Sequence, residues 1–127
     1  MSALVLDAGA LVAVDRDDRP MIARLRVAEK AGLELRSNAM VVAQVWRDRL
    51  GRQVNLARLL RAVDVRAVRH EDGRAAGVLL AAAGTADAID ATVVLLAAPG
   101  DRIVTSDPDD LTRLAAAAAR RPAIIPC

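Results

Sequence analysis

A short apolar run that ends in an aspartate constrains the fold more than any other stretch of the chain. Leu4, Val5 and Leu6 stand together without polar alternation, and Asp7 follows them directly. Such a run is typical of a strand that is buried on both faces of a parallel sheet. Ligands of open α/β sheets bind just beyond the carboxyl ends of the strands. The run therefore predicts a strand that carries a carboxylate to the functional edge of a sheet, and we expect this strand to be central.

Two further acidic stretches follow the same logic. Near the end of the chain, a predicted strand over 102–105 leads to Asp107. Between the two strands, Asp87 and Asp90 lie in the first turns of a predicted helix over 86–98, and their spacing places them on one helix face. Helix starts favour negative charge, so capping explains either aspartate alone. We nevertheless expect carboxylates from two strand ends and one helix start to converge on a single crevice.

Strands and helices alternate along the whole chain. This order predicts crossover connections and a parallel sheet, an α/β fold in a single domain over residues 1–127. Thr85 is a suitable cap for the helix over 86–98. We predict strands over 4–6, 33–36, 63–68, 102–105 and 124–125, and helices over 8–14, 20–31, 39–50, 55–62, 71–83, 86–98 and 108–119.

Composition excludes several classes of protein. With 54% hydrophobic residues in 127, the chain can bury a core and is not disordered by default. One Trp and neither Phe nor Tyr argue against modules that bind single-stranded nucleic acid by aromatic stacking. A single cysteine, no visible secretory signal and no apolar run long enough to span a membrane favour a soluble protein of the cytoplasm.

The predicted acidic crevice points to a bound metal ion. Crowded carboxylates repel one another, and a divalent cation is their natural counter-charge. Because the chain has one His and one Cys, the ligands would be oxygen atoms, which favours Mg²⁺ or Mn²⁺ over Zn²⁺. An ion of this kind generates a nucleophile from water and stabilises the leaving oxygen of a phosphodiester.

Three stretches carry the acids within apolar runs, namely 5–13 (VLDAGALVA), 90–97 (DATVVLLA) and 104–107 (VTSD). Each is weak evidence alone, but together, in this order and spacing, they resemble the first, third and fourth acidic motifs of PIN-domain ribonucleases. The resemblance is to the toxins of VapBC toxin–antitoxin pairs and spans essentially the whole chain. It implies a PIN-like three-layer fold in which helices flank a central parallel sheet.

The resemblance also implies an activity and a set of site residues. The activity is that of an Mg²⁺- or Mn²⁺-dependent endoribonuclease, a VapC-type toxin that hydrolyses cellular RNA such as tRNA or ribosomal RNA. Asp7, Asp90 and Asp107 would be catalytic and would hold the metal. Asp87 is the next candidate ligand, and Gln44 would position the attacking water. A homodimer and a cognate antitoxin that covers the cleft are further implications.

Gln44 departs from the family pattern, which has an acid early in the helix after the second strand. An amide offers an oxygen but neither a negative charge nor a base. Asp87 or Asp110 could compensate, although Asp110, with Asp109, is first explained as a helix cap. The alternative is a catalytically inactive PIN-like module that binds RNA or protein. A phosphatase or receiver-like domain is disfavoured, because no Lys lies near the end of the chain.

Arginines and hydroxyls near the predicted crevice are candidate RNA contacts. The net charge is only +2, but nearly all basic residues are Arg, and several fall between 47 and 61. Arg47 and Arg49 could bind phosphates there, while solvation of a helix face explains such charges equally well. Thr105 and Ser106 could contact phosphate or orient Asp107, and turn hydrogen bonds are an alternative.

Overall fold

A computed structural model describes residues 2–48, 50–120 and 122–127 of the chain. Within them, strands alternate with helices in the predicted order. The strands are β1 (Ala3–Leu6), β2 (Glu34–Asn38), β3 (Val63–Arg66), β4 (Arg102–Thr105) and β5 (Ala123–Pro126). The helices are α1 (Ala8–Asp15), α2 (Arg19–Lys30), α3 (Ala39–Val45), α4 (Val54–Leu60), α5 (His70–Ala83), α6 (Ala88–Leu96) and α7 (Pro108–Ala117).

The five strands form one parallel sheet in the order β3-β2-β1-β4-β5. β1 is the central strand, as predicted, and its Leu6 is in register with Val104 of β4. Helix α1 packs against α2, α3 and α4, whereas α5, α6 and α7 pack against one another. The predicted α/β fold, a central parallel sheet flanked by helices, is confirmed.

Aliphatic side chains make up the core, in keeping with the absence of Phe and Tyr. β1 is buried along its whole length. Leu6, Leu11, Ile103 and Leu111 have no exposed surface, and burial of such a side chain contributes about 1.5–3 kcal/mol. The lack of polar alternation in β1 is explained by its position, because water reaches neither of its faces.

Helix α3 is shorter than predicted, and the reason is a buried glutamine. The expected end was near Leu50, but α3 ends at Val45 and the next residue is extended. The Gln53 amide donates to the Val45 carbonyl at 2.9 Å and to Asp15 at 3.3 Å. Its Oε1 accepts from the backbone N–H groups of residues 47 and 48. The side chain of Gln53 thus takes over bonds that further helical turns would have made.

Helix α6 begins later than predicted, and its cap is an aspartate. The expected cap was Thr85, but Asp87 is the N-cap, and its Oδ1 accepts a hydrogen bond from the Asp90 N–H at 3.0 Å. The Thr85 hydroxyl is buried without a hydrogen-bond partner. Asp is among the strongest N-caps, which accounts for the choice.

A buried carboxylate, Asp101, stabilises the edge of the sheet formed by the amino ends of the strands. Its Oδ1 accepts from the Ala3 N–H and its Oδ2 from the Ala98 N–H, both at 2.8 Å. Arg36 of β2 adds a charge-assisted hydrogen bond at 3.3 Å. Asp101 therefore compensates its burial with donors and a cation.

Among the described residues, no single helix is long and apolar enough to cross a membrane. Helices α5 and α6 reach the required length and hydropathy only as a pair, and that pair is bent by 108°.

We expect Gln53→Ala to lower the free energy of unfolding by about 2 kcal/mol, because the buried Val45 carbonyl loses its donor. Urea denaturation in EDTA measures this effect. Gln44→Ala is the matched control, since Gln44 is the other glutamine of the chain and is exposed; we expect it to stay within about 0.5 kcal/mol of wild type. Equal losses in the two variants would contradict the role assigned to Gln53.

Candidate active site

The parallel pairing of β1 and β4 brings two acids to one edge of the sheet. Asp7 directly follows β1, and Asp107 lies two residues after the end of β4. The Asp7 N–H donates to the Val104 carbonyl at 3.0 Å, so the pairing of the two strands extends to Asp7 itself. Helix α6 contributes Asp90 from its first turn. The carboxyl ends of the two strands therefore meet the start of a helix, as the sequence predicts.

Thr105 connects two of these acids through one hydroxyl group. Its Oγ1 donates to Asp7 Oδ2 at 2.7 Å and accepts from the Asp107 N–H at 3.0 Å. Thr105 is completely buried. The Thr105 hydroxyl is thus engaged with Asp7 and Asp107, and its predicted contact with RNA remains a prediction. The hydrogen bond to Asp107 supports the other role considered for Thr105, the orientation of Asp107.

Three carboxylates form a tight cluster at this edge. Asp90, Asp107 and Asp110 each place an oxygen atom within 4.8 Å of the other two. Asp7 is not a member of this group, although it lies close enough to raise the pKa of Asp90. Sequence reasoning undervalued Asp110, which it treated first as a helix cap. The signal was present, because Asp107 and Asp110 are three residues apart at a helix start and so share one face.

Asp90 has the most perturbed environment of the cluster. Only 7% of the residue is exposed, and its Oδ2 is buried without a hydrogen-bond partner. Burial first of all, and then the charges of neighbouring carboxylates, raise the pKa of Asp90 to about 7. Those carboxylates, in order of effect, belong to Asp7, Asp87, Asp107 and Asp110.

The Asp107 carboxyl is exposed but perturbed in the same direction. Partial desolvation and the hydrogen bond with Asp110 raise its pKa above the ordinary value. The charges of Asp110, Asp7 and Asp87 raise it further. Asp107 precedes α7 as its N-cap residue, yet its side chain makes no capping hydrogen bond. The Asp107 carboxylate therefore lies among neighbouring acids and does not cap its helix.

The donor set of the cluster fits a divalent cation. All the clustered ligands are carboxylate oxygens, which suit Mg²⁺ or Mn²⁺. The unpartnered Oδ2 of Asp90 is the decisive feature, because Asp7 and Asp101, the other buried acids among the described residues, accept hydrogen bonds on both carboxylate oxygens. Asp90, Asp107 and Asp110 are thus close enough together to hold an ion, and Asp7 lies near them.

Asp87 lies beside the cluster rather than in it. The cluster does not include this residue, and one of its carboxylate oxygens caps α6. Its charge still raises the pKa of Asp90 and Asp107. The capping role that the sequence offered as an alternative is present, and the predicted metal role remains a proposal.

Gln44 and Arg47 lie around the end of α3. The Gln44 side chain is exposed in the last turn of the helix. The Arg47 guanidinium donates to the carbonyls of residues 43, 44 and 46 at 2.7–3.0 Å, so it stabilises the helix end. Its predicted contact with phosphate remains a prediction. Arg49, the other predicted contact, lies outside the described residues.

Ser106 packs over the start of α1. A Cβ atom added to Gly9 would lie 2.7 Å from Ser106 Oγ and 3.0 Å from the Cys127 sulfur. Only glycine therefore fits at this first turn. Ser106 is exposed, and its predicted contact with RNA remains a prediction.

Comparison with known proteins gives a match to a solved structure but no match to a family model or to a curated protein. The crystal structure of VapBC2 from Rickettsia felis bound to a DNA fragment from its promoter contains a chain that superposes with a TM-score of 0.72. The match covers 98% of both chains, at 13% sequence identity. The chain has a PIN-like fold. At this identity the similarity establishes the fold alone, and it confirms the fold class that the acidic motifs implied.

The raised pKa of Asp90 predicts a stability that falls with increasing pH in the absence of metal. The unfolded carboxyl titrates near 4 and the folded one near 7, so the cost of ionisation is absent below pH 4, grows between pH 4 and 7, and stays constant above. In EDTA at pH 8, Asp90→Asn should unfold with a free energy about 2 kcal/mol higher than wild type, allowing for screening.

This difference should vanish near pH 4, and urea denaturation at several pH values measures it. Glu29→Gln is the control, because Glu29 is an exposed acid of α2 outside the cluster. A constant difference at all pH values for Asp90→Asn would contradict the predicted titration.

Thr105→Val tests the hydroxyl that connects Asp7 and Asp107. Valine keeps the shape of threonine but leaves the Oδ2 atom of Asp7 without its donor, so we expect a loss of about 1–2 kcal/mol in the free energy of unfolding. Thr105→Ser retains the hydroxyl and should lose less than Thr105→Val. The two variants are compared by urea denaturation in EDTA; a greater loss for serine would show that packing of the methyl group outweighs the hydrogen bonds.

Proposed function

We propose that the protein is a metal-dependent endoribonuclease of the VapC toxin type. The observation that carries the proposal is the buried, unpartnered oxygen of Asp90 among clustered carboxylates, at the strand ends of a PIN-like sheet. Perturbed carboxyl groups in such a position are typical of catalytic sites. The three acidic motifs of the sequence support the same activity.

In this proposal Asp7, Asp90 and Asp107 hold Mg²⁺ or Mn²⁺. When bound, the ion supplies Lewis-acid activation of water and stabilises charge on the leaving oxygen of a phosphodiester. The protein contributes a preorganised set of acids, because the Thr105 hydroxyl bonds to the Asp7 carboxylate and to the backbone N–H of Asp107. Gln44 would orient the attacking water through its amide oxygen. Asp90 would lose its proton when the cation enters, since the cation replaces repulsion by attraction.

RNA is the proposed substrate, and exposed arginines beyond the end of α3 offer phosphate contacts. Arg58 and Arg61 line a surface cavity of about 240 Å³ together with Trp46. The guanidinium group pairs well with phosphate oxygens. Contacts of this kind supply affinity without sequence preference, so they are compatible with tRNA or ribosomal RNA.

A cognate antitoxin and a second copy of the chain are the proposed protein partners, in the cytoplasm. The structural neighbour from Rickettsia felis is a VapBC2 assembly, which supports an antitoxin partner. The described surface around α3 and α4 also exposes apolar side chains that a partner could cover, namely Met40, Trp46, Leu50 and Val54. Leu50 is 92% exposed and is the most prominent of them.

Metal should stabilise the protein. We expect millimolar Mn²⁺ or Mg²⁺ to raise the melting temperature by roughly 5 °C relative to EDTA, because a ligand that binds only the native state shifts the unfolding equilibrium. Asp7→Asn and Asp90→Asn should reduce this increase, whereas Glu29→Gln should keep it. Thermal denaturation with and without metal measures the response, and an unchanged melting temperature in the wild type would count against the metal site.

RNA cleavage separates the enzyme from the inactive binding module that Gln44 raises as an alternative. We expect the purified protein to cut RNA slowly with Mn²⁺, to be silenced by chelation, and to cause growth arrest in a bacterial host. Asp107→Ala should neither cleave RNA nor arrest growth when the amount of folded protein equals that of the wild type. Gln44→Glu should cleave faster, because it supplies the charge that the family usually has at this position. RNA binding without fragments in the wild type, or equal toxicity of Asp107→Ala, would favour the binding module.

A further inference from the structure

Helices α6 and α7 each begin with two aspartates that are three residues apart, but the first aspartate of each pair makes different hydrogen bonds. Asp87 is the N-cap of α6 and Asp90 follows three residues later, and Asp107 and Asp110 have the same relation in α7. The Asp87 carboxylate accepts a hydrogen bond from the helix, as a cap does, but the Asp107 carboxylate accepts none. The pair at the start of α7 is therefore not explained by capping.

The pair in α7 meets the buried acid of α6. Each of Asp90, Asp107 and Asp110 places an oxygen within 4.8 Å of the others. Asp90 is more than nine-tenths buried, and its Oδ2 has no donor. This buried oxygen can carry a negative charge at low energetic cost only beside a positive partner. This observation, independent of the clustering, points to a cation at the place where α6 and α7 meet.

We propose that Asp110 is a ligand of this cation and supplies from α7 the negative charge that Gln44 does not supply from α3. The inference rests on the proposed function, because it concerns the same ion. With Asp7, Asp90 and Asp107, Asp110 restores the number of carboxylates to four. The site would then keep the charge of a four-acid site while one acid comes from a different helix.

Neighbouring acids are less suited to this role. Asp109 lies outside the cluster, although it belongs to the same helix turn as Asp110. Asp87 also lies outside the cluster, and one of its carboxylate oxygens already accepts the capping hydrogen bond of α6. Asp110, by contrast, faces Asp107 closely enough to raise its pKa by hydrogen bonding and by charge. A carboxylate binds Mg²⁺ or Mn²⁺ more strongly than an amide does, because it adds a full negative charge.

Asp109 makes a matched control for the experiment. Asp109→Asn and Asp110→Asn remove the same charge from the same helix turn, so effects on the helix dipole and on net charge are equal. Wild type and both variants are freed of metal, checked for folding by circular dichroism, and titrated with Mn²⁺ by calorimetry at pH 7.5. We expect Asp110→Asn to weaken Mn²⁺ binding by about tenfold or more, and Asp109→Asn to change it by less than about twofold.

Equal affinities in the two variants would overturn the inference, as would a wild type that binds no Mn²⁺. RNA cleavage is measured separately on the same samples. A protein that cleaves RNA while Asp110→Asn binds Mn²⁺ like wild type would retain the proposed function and lose the inference. A protein whose Mn²⁺ binding depends on Asp110 but that leaves RNA intact would retain the inference and lose the proposed function.

Discussion

The parallel pairing of β1 with β4 is the contact on which the acidic site depends. It places Leu6 beside Val104 and lets the Asp7 N–H bind the Val104 carbonyl. The next residues of the two strands then emerge at the same edge, where the Thr105 hydroxyl bonds to Asp7. A slip of one residue would turn this hydroxyl away from the acid. The register of two aliphatic strands thus sets the geometry of the polar site above them.

Two of the buried aspartates, Asp101 and Asp90, have opposite surroundings. Asp101 accepts hydrogen bonds from two N–H groups and from Arg36, so its charge is compensated within the chain. Asp90 has an oxygen without a donor and is surrounded by other carboxylates. A chain that needed only stability would avoid the second arrangement, because it raises the energy of the ionised native state. Electrostatic strain of this kind is typical of sites that bind a cation or perform chemistry.

The likeness to the Rickettsia felis VapBC2 structure at 13% identity has a simple physical basis. The strands of a parallel sheet that is buried on both faces require aliphatic residues at nearly every position. Many different sequences of Val, Leu, Ile and Ala meet that requirement. The acids, in contrast, are fixed by chemistry at strand ends and helix starts.

The sequence by itself determined the parallel α/β sheet, the central place of β1 and the edge at which Asp7, Asp90 and Asp107 collect, because hydrophobic runs and strand ends are local features. It did not determine that α3 stops at Val45, since the side chain responsible belongs to Gln53, eight residues later. Nor could it show that Thr105 is buried against Asp7, or that Arg47 folds back on its own helix. Only the tertiary structure decided that Asp110 joins Asp90, because their distance depends on how α6 and α7 pack, and no local pattern encodes that packing.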